Sequence, residues 1–528
     1  MTPLSSKPSS SNLPKDLPPE LWKLILSYIE PDYEQAIPID KAIARRQFLS
    51  VESFVPPDPR DSLANVGRHS IGRLRLVCRG LAEVGAPFQF TQLVVRFSQK
   101  GLRRLDNISR CPHLARLVKR FTYMVPYFFE EGLDDFDQIR DDLRQEGLKN
   151  FNKLREKADD QQEIVDQRLD VHVLKRAIAN FTSLQLVQLL RWTEHEDRIV
   201  LDYLKRHEEA RRAVNLDWTL ACSHAGQTVG IALLNARKTE PNRFILPFAS
   251  PSSAQFLRQS KPNSVWTLAE KLTCLTLHFD DADDLEGKLQ DLSELFHAIF
   301  TKAAKMKAVH IGFPPQRPLT LPLEKIFHHV KWDDLIAFGV QGWELEESEI
   351  IGLLERHKDR LKGVRLRDVH LKDGSAWKEV LSFMRDEMRM LQWVSLRRIG
   401  YTAYYTSAQF QQHPGAEVPP FLSDSEDDSD DESEDDEPIP GPSTLVDSDD
   451  DSNFDEDSDD EHEPHANDMD FPSFSPDTPA SASWCNCSGD DHLGSAEELG
   501  DTDIVVSNTK RKHWERWVLR RCPEHGER

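Results

Sequence analysis

What this 528-residue sequence lacks narrows its chemistry first. It carries no G-x-x-x-x-G-K-[ST] phosphate loop, no G-x-G-x-x-G after a strand pattern, no G-x-S-x-G elbow and no H-E-x-x-H pair. Nucleotide, acyl-transfer and zincin chemistry therefore have no motif behind them, and the chain reads as a non-enzyme that needs no cofactor. Cysteine is scarce: seven residues, an odd number, at 78, 111, 222, 274, 485, 487 and 522. That excludes a disulfide framework and fits reduced thiols in a cytoplasmic or nuclear protein. No uncharged run is long enough to span a bilayer. Residues Met1–Pro14 are rich in Ser and Pro without the apolar centre of a secretory signal. Membranes are thus not an expected partner.

The widest absence is of basic residues. From Ile399 to Thr509 there is no Lys or Arg, against 32 Asp and Glu. The other 58 acidic residues face all 66 basic ones, so the remainder carries +8 and the net −24 belongs to one segment. The +8 is spread over more than 400 residues with no aromatic–basic motif, which gives nucleic-acid binding little support. Overall hydrophobic content is only 38% for the same local reason.

The acidic segment reads as unable to fold alone, because its apolar content is too low to offset chain entropy and its charges repel. Ser423, Ser425, Ser429, Ser433, Ser448 and Ser458 each have Asp or Glu three residues on, as does Ser452. That is the arrangement acid-directed kinases such as casein kinase 2 prefer, so they are phosphorylation candidates. Three roles stay open: a solvated spacer, a tail competing for a basic face of the same chain, or a trap for basic partners.

At the other end, Leu17-Pro18-Pro19-Glu20-Leu21-Trp22 opens a helix, since proline is tolerated in a first turn. Leu21, Leu24, Ile25, Tyr28 and Ile29 follow at helical spacing, which predicts one apolar face, and Glu30-Pro31 ends the helix. A second helix is expected over Ile71–Val84, with Ile71, Leu74, Val77, Cys78 and Leu81 on one stripe and Gly85-Ala86-Pro87 as its stop. Two such helices cannot bury a core alone and need another element or a partner. A plain helical cap on the following domain is the bland alternative.

These two segments resemble the halves of an F-box, the helical module that plugs a substrate receptor into an SCF-type ubiquitin ligase. The resemblance implies a protein that works by contact. It implies an adaptor-binding surface at Leu17, Pro18, Leu21, Ile25, Leu74, Val77, Cys78 and Leu81. An F-box is usually compact, whereas here residues 31–70 intervene, with Pro56-Pro57-Asp58-Pro59 and a helix expected at Ile39–Phe48. Insertions in surface loops cost little.

Between the ends, apolar strand and helix patterns alternate. Strands are expected at Phe90–Phe97, Leu117–Met124, Leu184–Leu190, Leu272–Leu277, Val309–Ile311, Leu335–Phe338, Val364–Leu366 and Trp393–Leu396. Helices are expected at Ser98–Arg110, through 134–180, and at about 284–303, 323–330, 347–358 and 375–388. From Leu272 the strands recur about every 28 to 35 residues, the period of a solenoid whose units stack to bury their apolar faces. An open α/β sheet without solenoid curvature is the competing form. Leu361–Leu366, Leu371–Trp377 and Leu391–Leu396 resemble the C-terminal repeats of fungal F-box proteins with irregular leucine-rich repeats, although the asparagine ladder of stricter repeats is missing.

The expected organisation is therefore α/β. Residues 1–14 are disordered, 15–90 form an F-box-like helical module with an insert at 31–70, 91–400 form a strand–helix repeat domain, 401–509 are a disordered acidic tail, and 510–528 are basic and helix-capable. The expected partners are the ligase adaptor and an unidentified target protein. A scaffold or acidic chaperone-like binder of basic proteins is the alternative. Trp343 and Trp377 are candidates either for target contact or for the core. Trp514, Trp517 and Val518 share a face in the last segment, which has three readings: it returns to the repeats, bridges to the acidic tail, or signals nuclear import. Cys485, Cys487, Cys522 and His525 have zinc-ligand chemistry without standard spacing, so no metal is assigned. Asp280, Asp281, Asp283 and Asp284 read as helix-cap and first-turn charges. His195, His328 and His329 read as surface residues.

Overall fold

The structure is a computed structural model. It describes residues 18–29, 71–126, 139–402 (apart from 193, 208, 211–217, 237, 240, 250, 252–261, 280–283 and 316), 514–515 and 517–519. The insert at 31–70, the acidic phosphorylation candidates and the Cys485, Cys487, Cys522 and His525 set lie outside the described residues, as do Leu17, Asp280, Asp281 and Asp283.

The chain is a mixed α/β protein. Helix α1 (Pro19–Ile29) and helix α2 (Arg79–Phe90) precede a ten-stranded sheet. Its strands are β1 (Gln92–Arg96), β2 (Arg120–Pro126), β3 (Leu186–Trp192), β4 (Arg243–Ala249), β5 (Cys274–Phe279), β6 (Ala308–Gly312), β7 (Ala337–Leu345), β8 (Gly363–Leu371), β9 (Trp393–Arg397) and β10 (Gly400–Tyr401). Every pairing is parallel, and spatial order follows chain order from β1 to β8. Both β9 and β10 pair with β8, one with each half of it.

Parallel neighbours need crossovers, and helices supply them. The crossovers include α3 (Gln99–Ser109), the short α4 (Pro112–Ala115), α5 (Arg140–Gln145), α6 (Phe151–Asp166), α7 (Leu169–Asn180), α8 (His195–Arg206) and α9 (Trp218–Asn235). They continue with α10 (Pro262–Ala269), α11 (Leu285–Lys302), the single-turn α12 (Glu324–Phe327), α13 (Glu347–His357) and α14 (Trp377–Glu387). Their starts follow local chemistry. The Ser98 hydroxyl accepts from Gly101 N in α3, Asn150 Oδ1 accepts from Lys153 N in α6, and Asp284 Oδ1 accepts from Gly287 N in α11. Reciprocal capping boxes open α8 (Glu194 and Asp197) and α13 (Glu346 and Glu349).

Two apolar cores lie between sheet and helices. The first joins β1–β3 to α3, α7 and α9 through residues such as Val95, Phe121, Tyr123, Leu174 and Val229. The second joins β5–β9 to α11, α13 and α14 through residues such as Phe300, Val340, Trp343, Leu354 and Leu381. Phe244 on β4 packs against both. The clusters on the opposite face of the sheet are made by strand residues: Cys274, Ala308, Ala337 and Trp393, and separately Val94, Met124 and Trp192.

The strands of β7 and β8 run further than their alternation predicts. Gly342 (φ 68°), Asp368 (φ 50°) and Arg398 (φ 47°) stand side by side in left-handed backbone. Each slips the in–out alternation by one residue. Val340 and Trp343, Leu366 and Val369, Leu396 and Ile399 therefore all reach the same core at a spacing of three. A Cβ at Gly342 would overlap the Phe313 carbonyl, so only glycine fits there.

Three expectations are corrected, and one left open between two readings is decided. The second N-terminal helix is not continuous: residues 71–75 are helical, 76–77 form a turn, and Cys78 is extended (φ −158°) before α2 starts. Pro87 does not stop α2 but sits inside it, and Thr91 N and Oγ1 both donate to the Pro87 carbonyl. The helix expected over 323–330 is one turn, ended at His328 and His329 by left-handed backbone. Trp343 and Trp377 are core residues, with indole N–H groups donating to the Leu321 and Gly400 carbonyls.

Candidate functional site

Helix α1 begins as its prolines dictate, with the Pro18 carbonyl accepting from Leu21 N and Trp22 N. It is anchored through Leu26, fully buried with Ile71 and Phe88, and Leu74 and Val84 close the small cluster. Leu21, Leu24 and Ile25 of the predicted stripe therefore do not supply this anchor. Leu21, Leu24 and Ile25 stand 44%, 51% and 40% exposed. Across the break between 75 and 79, Leu76 and Val77 are 87% and 63% exposed.

Of the sequence-derived contact set, Pro18, Leu21, Ile25, Val77 and Cys78 are at the surface and Leu74 is half-buried. Leu81 is buried and is a packing residue instead. Leu24 and Leu76 join the exposed set. Leu24 was legible as part of the stripe. Leu76 was not, because its exposure comes from the turn that interrupts the expected helix. Arg75 braces this turn: its Nε donates to the Ala82 carbonyl, its Nη1 to Gln89, and its guanidinium lies over the Phe90 ring. Burying a leucine or isoleucine of this kind is worth roughly 1.5–3 kcal/mol, so covering several of them together would be favourable.

The second feature is the sheet face opposite the two large cores. In register across β5 to β9 lie Thr276, His310, Gly339, Arg365 and Ser395, and next to them His278, Gly312, Gln341, Arg367 and Arg397. The His278 ring lies across Gly312 and the Trp393 indole across Gly363, each filling the space a Cβ would need. His278, His310, Arg365 and His370 are buried. Burial holds the His370 imidazole below its ordinary pKa, against the opposing pull of Asp368. Toward the C-terminal ends of these strands the face becomes more open, at Gln341, Glu344, Arg367, Arg397 and Arg398. Asp368 is gripped there by Arg398 Nε and Nη2 and by Gln341 Nε2, the last at 3.1 Å. This face can recognise by charge and hydrogen bonding.

Other polar groups are structural. Asp170 is fully buried and takes a 2.7 Å bond from His224 Nε2, whose ring meets Phe97 edge-on. Lys157 holds buried Asp197 at 2.7 Å, yet burial still raises that carboxyl. His328 bonds to the Ser293 carbonyl and stacks on His297, while His329 is exposed. Asp284 caps α11 as expected. Among the described residues no group of three or more His, Cys, Asp or Glu is placed to hold a metal, and no helix is long and apolar enough to cross a membrane. Compared with known proteins, the chain matches no family model and no curated sequence.

Proposed function

We propose that this chain is the substrate-recognition subunit of an SCF-type ubiquitin ligase. Its F-box-like N-terminal helices dock on the adaptor, and its strand–helix repeats, read as an irregular solenoid, hold a target protein. One observation carries the reading: α1 is anchored by Leu26 while Leu21, Leu24 and Ile25 of its predicted apolar stripe are turned outward. A helix that only capped the following domain would bury that stripe. Sequential parallel strands with both large cores on one side support the solenoid reading. The row Gln341, Arg367 and Arg397 is the proposed target rim, suited to an acidic or phosphorylated segment.

Pull-down with the purified adaptor tests this. Wild type should retain the adaptor, and Leu21→Asp/Ile25→Asp should lose at least about thirty-fold in affinity with an unchanged circular dichroism spectrum. Equal capture by the two chains, or none by either, sinks the ligase reading. The acidic segment favours a second function, a scaffold for basic proteins. It predicts that deleting 423–461 abolishes salt-sensitive binding of a basic partner while adaptor capture is absent throughout.

A further inference from the structure

The last described residues stand far from the body in sequence and inside it in space. Trp514, Trp517 and Val518, at helical spacing, are each at most 5% exposed and join the larger core. The Arg385 guanidinium of α14 lies 4.4 Å from the centre of the Trp517 ring. Between the tryptophans, buried Glu515 accepts a 2.7 Å bond from Leu396 N on β9, 119 residues earlier.

That amide is significant. In a parallel strand successive N–H groups point to opposite sides. Trp393 N points to β8, where it meets the Lys362 carbonyl, so Leu396 N, three residues on, points away from the sheet. Glu515 therefore satisfies a donor on the open edge of β9. Such an edge is otherwise a template for pairing with other chains.

We propose that the groove between α14 and the open edge of β9 is a peptide-binding site. Its ligand class is a short amphipathic helix with Trp-x-x-Trp-Val spacing and a carboxylate directly after the first tryptophan. The resident ligand is this chain's own C-terminal segment. Thr402 and Trp514 are separated by 111 residues in sequence, 403–513. Across so long a separation in sequence, covalent attachment alone adds little to the local concentration of the segment at this site. The contact must then carry its own affinity, through two buried tryptophans, a cation–π contact and a charge-assisted bond to the edge amide. The same contacts are available to a separate peptide. The site does not depend on what the N-terminal helices bind.

The test uses the full chain with a site-specific protease sequence placed at 440–446 and cut after purification. The C-terminal fragment should co-elute with the body on gel filtration, and excess synthetic peptide 508–521 should displace it. In the peptide, Trp514→Ala/Trp517→Ala should weaken displacement at least about thirty-fold, and Glu515→Gln about ten-fold. Trp517→Phe should remain within a few-fold, since the Trp517 indole N–H makes no hydrogen bond among the described residues. Release of the fragment from a body that keeps its thermal transition overturns the proposal, because the contact then has no affinity of its own. Unfolding of the body on cleavage, or equal displacement by the double-alanine peptide, overturns it too.

Discussion

At residue scale, three positions fix backbone or charge where little else would serve. His357 is buried, stacked on Trp332, accepts from Trp332 N at 3.1 Å and donates from Nδ1 to the Leu353 carbonyl. Burial first, then the charges of Arg356 and Lys331, lower its pKa to about 4 from 6.5. The imidazole is thus needed neutral. Its stabilisation is complete above the unfolded value and is lost as pH falls from about 6.5 toward about 4, at most about 3 kcal/mol. Urea titrations at pH 7 and 4.5 should show wild type losing about 2–3 kcal/mol more than His357→Gln, whose amide oxygen can still accept from Trp332 N. Asp170 poses the opposite problem, a buried carboxylate held by His224. His224→Ala should cost about 3 kcal/mol in chemical denaturation, because an unpaired buried charge is worse than no pair at all. Gly342→Ala adds left-handed strain to a backbone overlap, and should cost more than about 3 kcal/mol or prevent folding, read from soluble yield and melting. None of the three was legible in the sequence. Each depends on what another strand or helix brings alongside.

At the scale of elements, the N-terminal helix separates anchoring from exposure on one turn. Leu26→Ala removes a fully buried side chain and should release α1, seen as faster proteolysis at 18–29 with the sheet's melting unchanged. Leu21→Asp/Ile25→Asp alters exposed positions and should leave α1 in place. The periodicity of this helix was readable, but its direction was not: Leu21, Leu24 and Ile25 define a face without saying whether it turns inward. The same limit explains the strands. β5, β6 and β9 were located within a residue or two from their alternating apolar residues. The expectations for β7 and β8 ended at Phe338 and Leu366, because the left-handed residues after them change a period of two into a spacing of three. β4 and α9 were missed altogether. In β4 the apolar residues run on without alternation, as in Phe244-Ile245-Leu246, and α9 has apolar residues on nearly all sides, so neither has a period to detect.

For the whole molecule, the two large cores meet at one strand, where Phe244 touches both and the β4–β5 register shifts between Leu246 and Ala249. Sequentially stacked units transmit cooperativity only through neighbours. Phe244→Ala should therefore split unfolding into two transitions, with far-UV dichroism and tryptophan fluorescence no longer coincident. Coincident curves with a lowered midpoint would mean the cores are coupled elsewhere. Composition alone fixed the charge division between an acidic segment and a mildly basic remainder, since charge is counted, not folded. Local periodicity fixed the α/β class and most strand positions, since burial of one face imposes a repeat on the residues that make it. Tertiary structure alone decided which apolar face of α1 stays outside, that Trp343 and Trp377 are core, and that the C-terminal tryptophans return to β9. Those outcomes turn on contacts between residues distant in sequence, whose geometry no local pattern encodes.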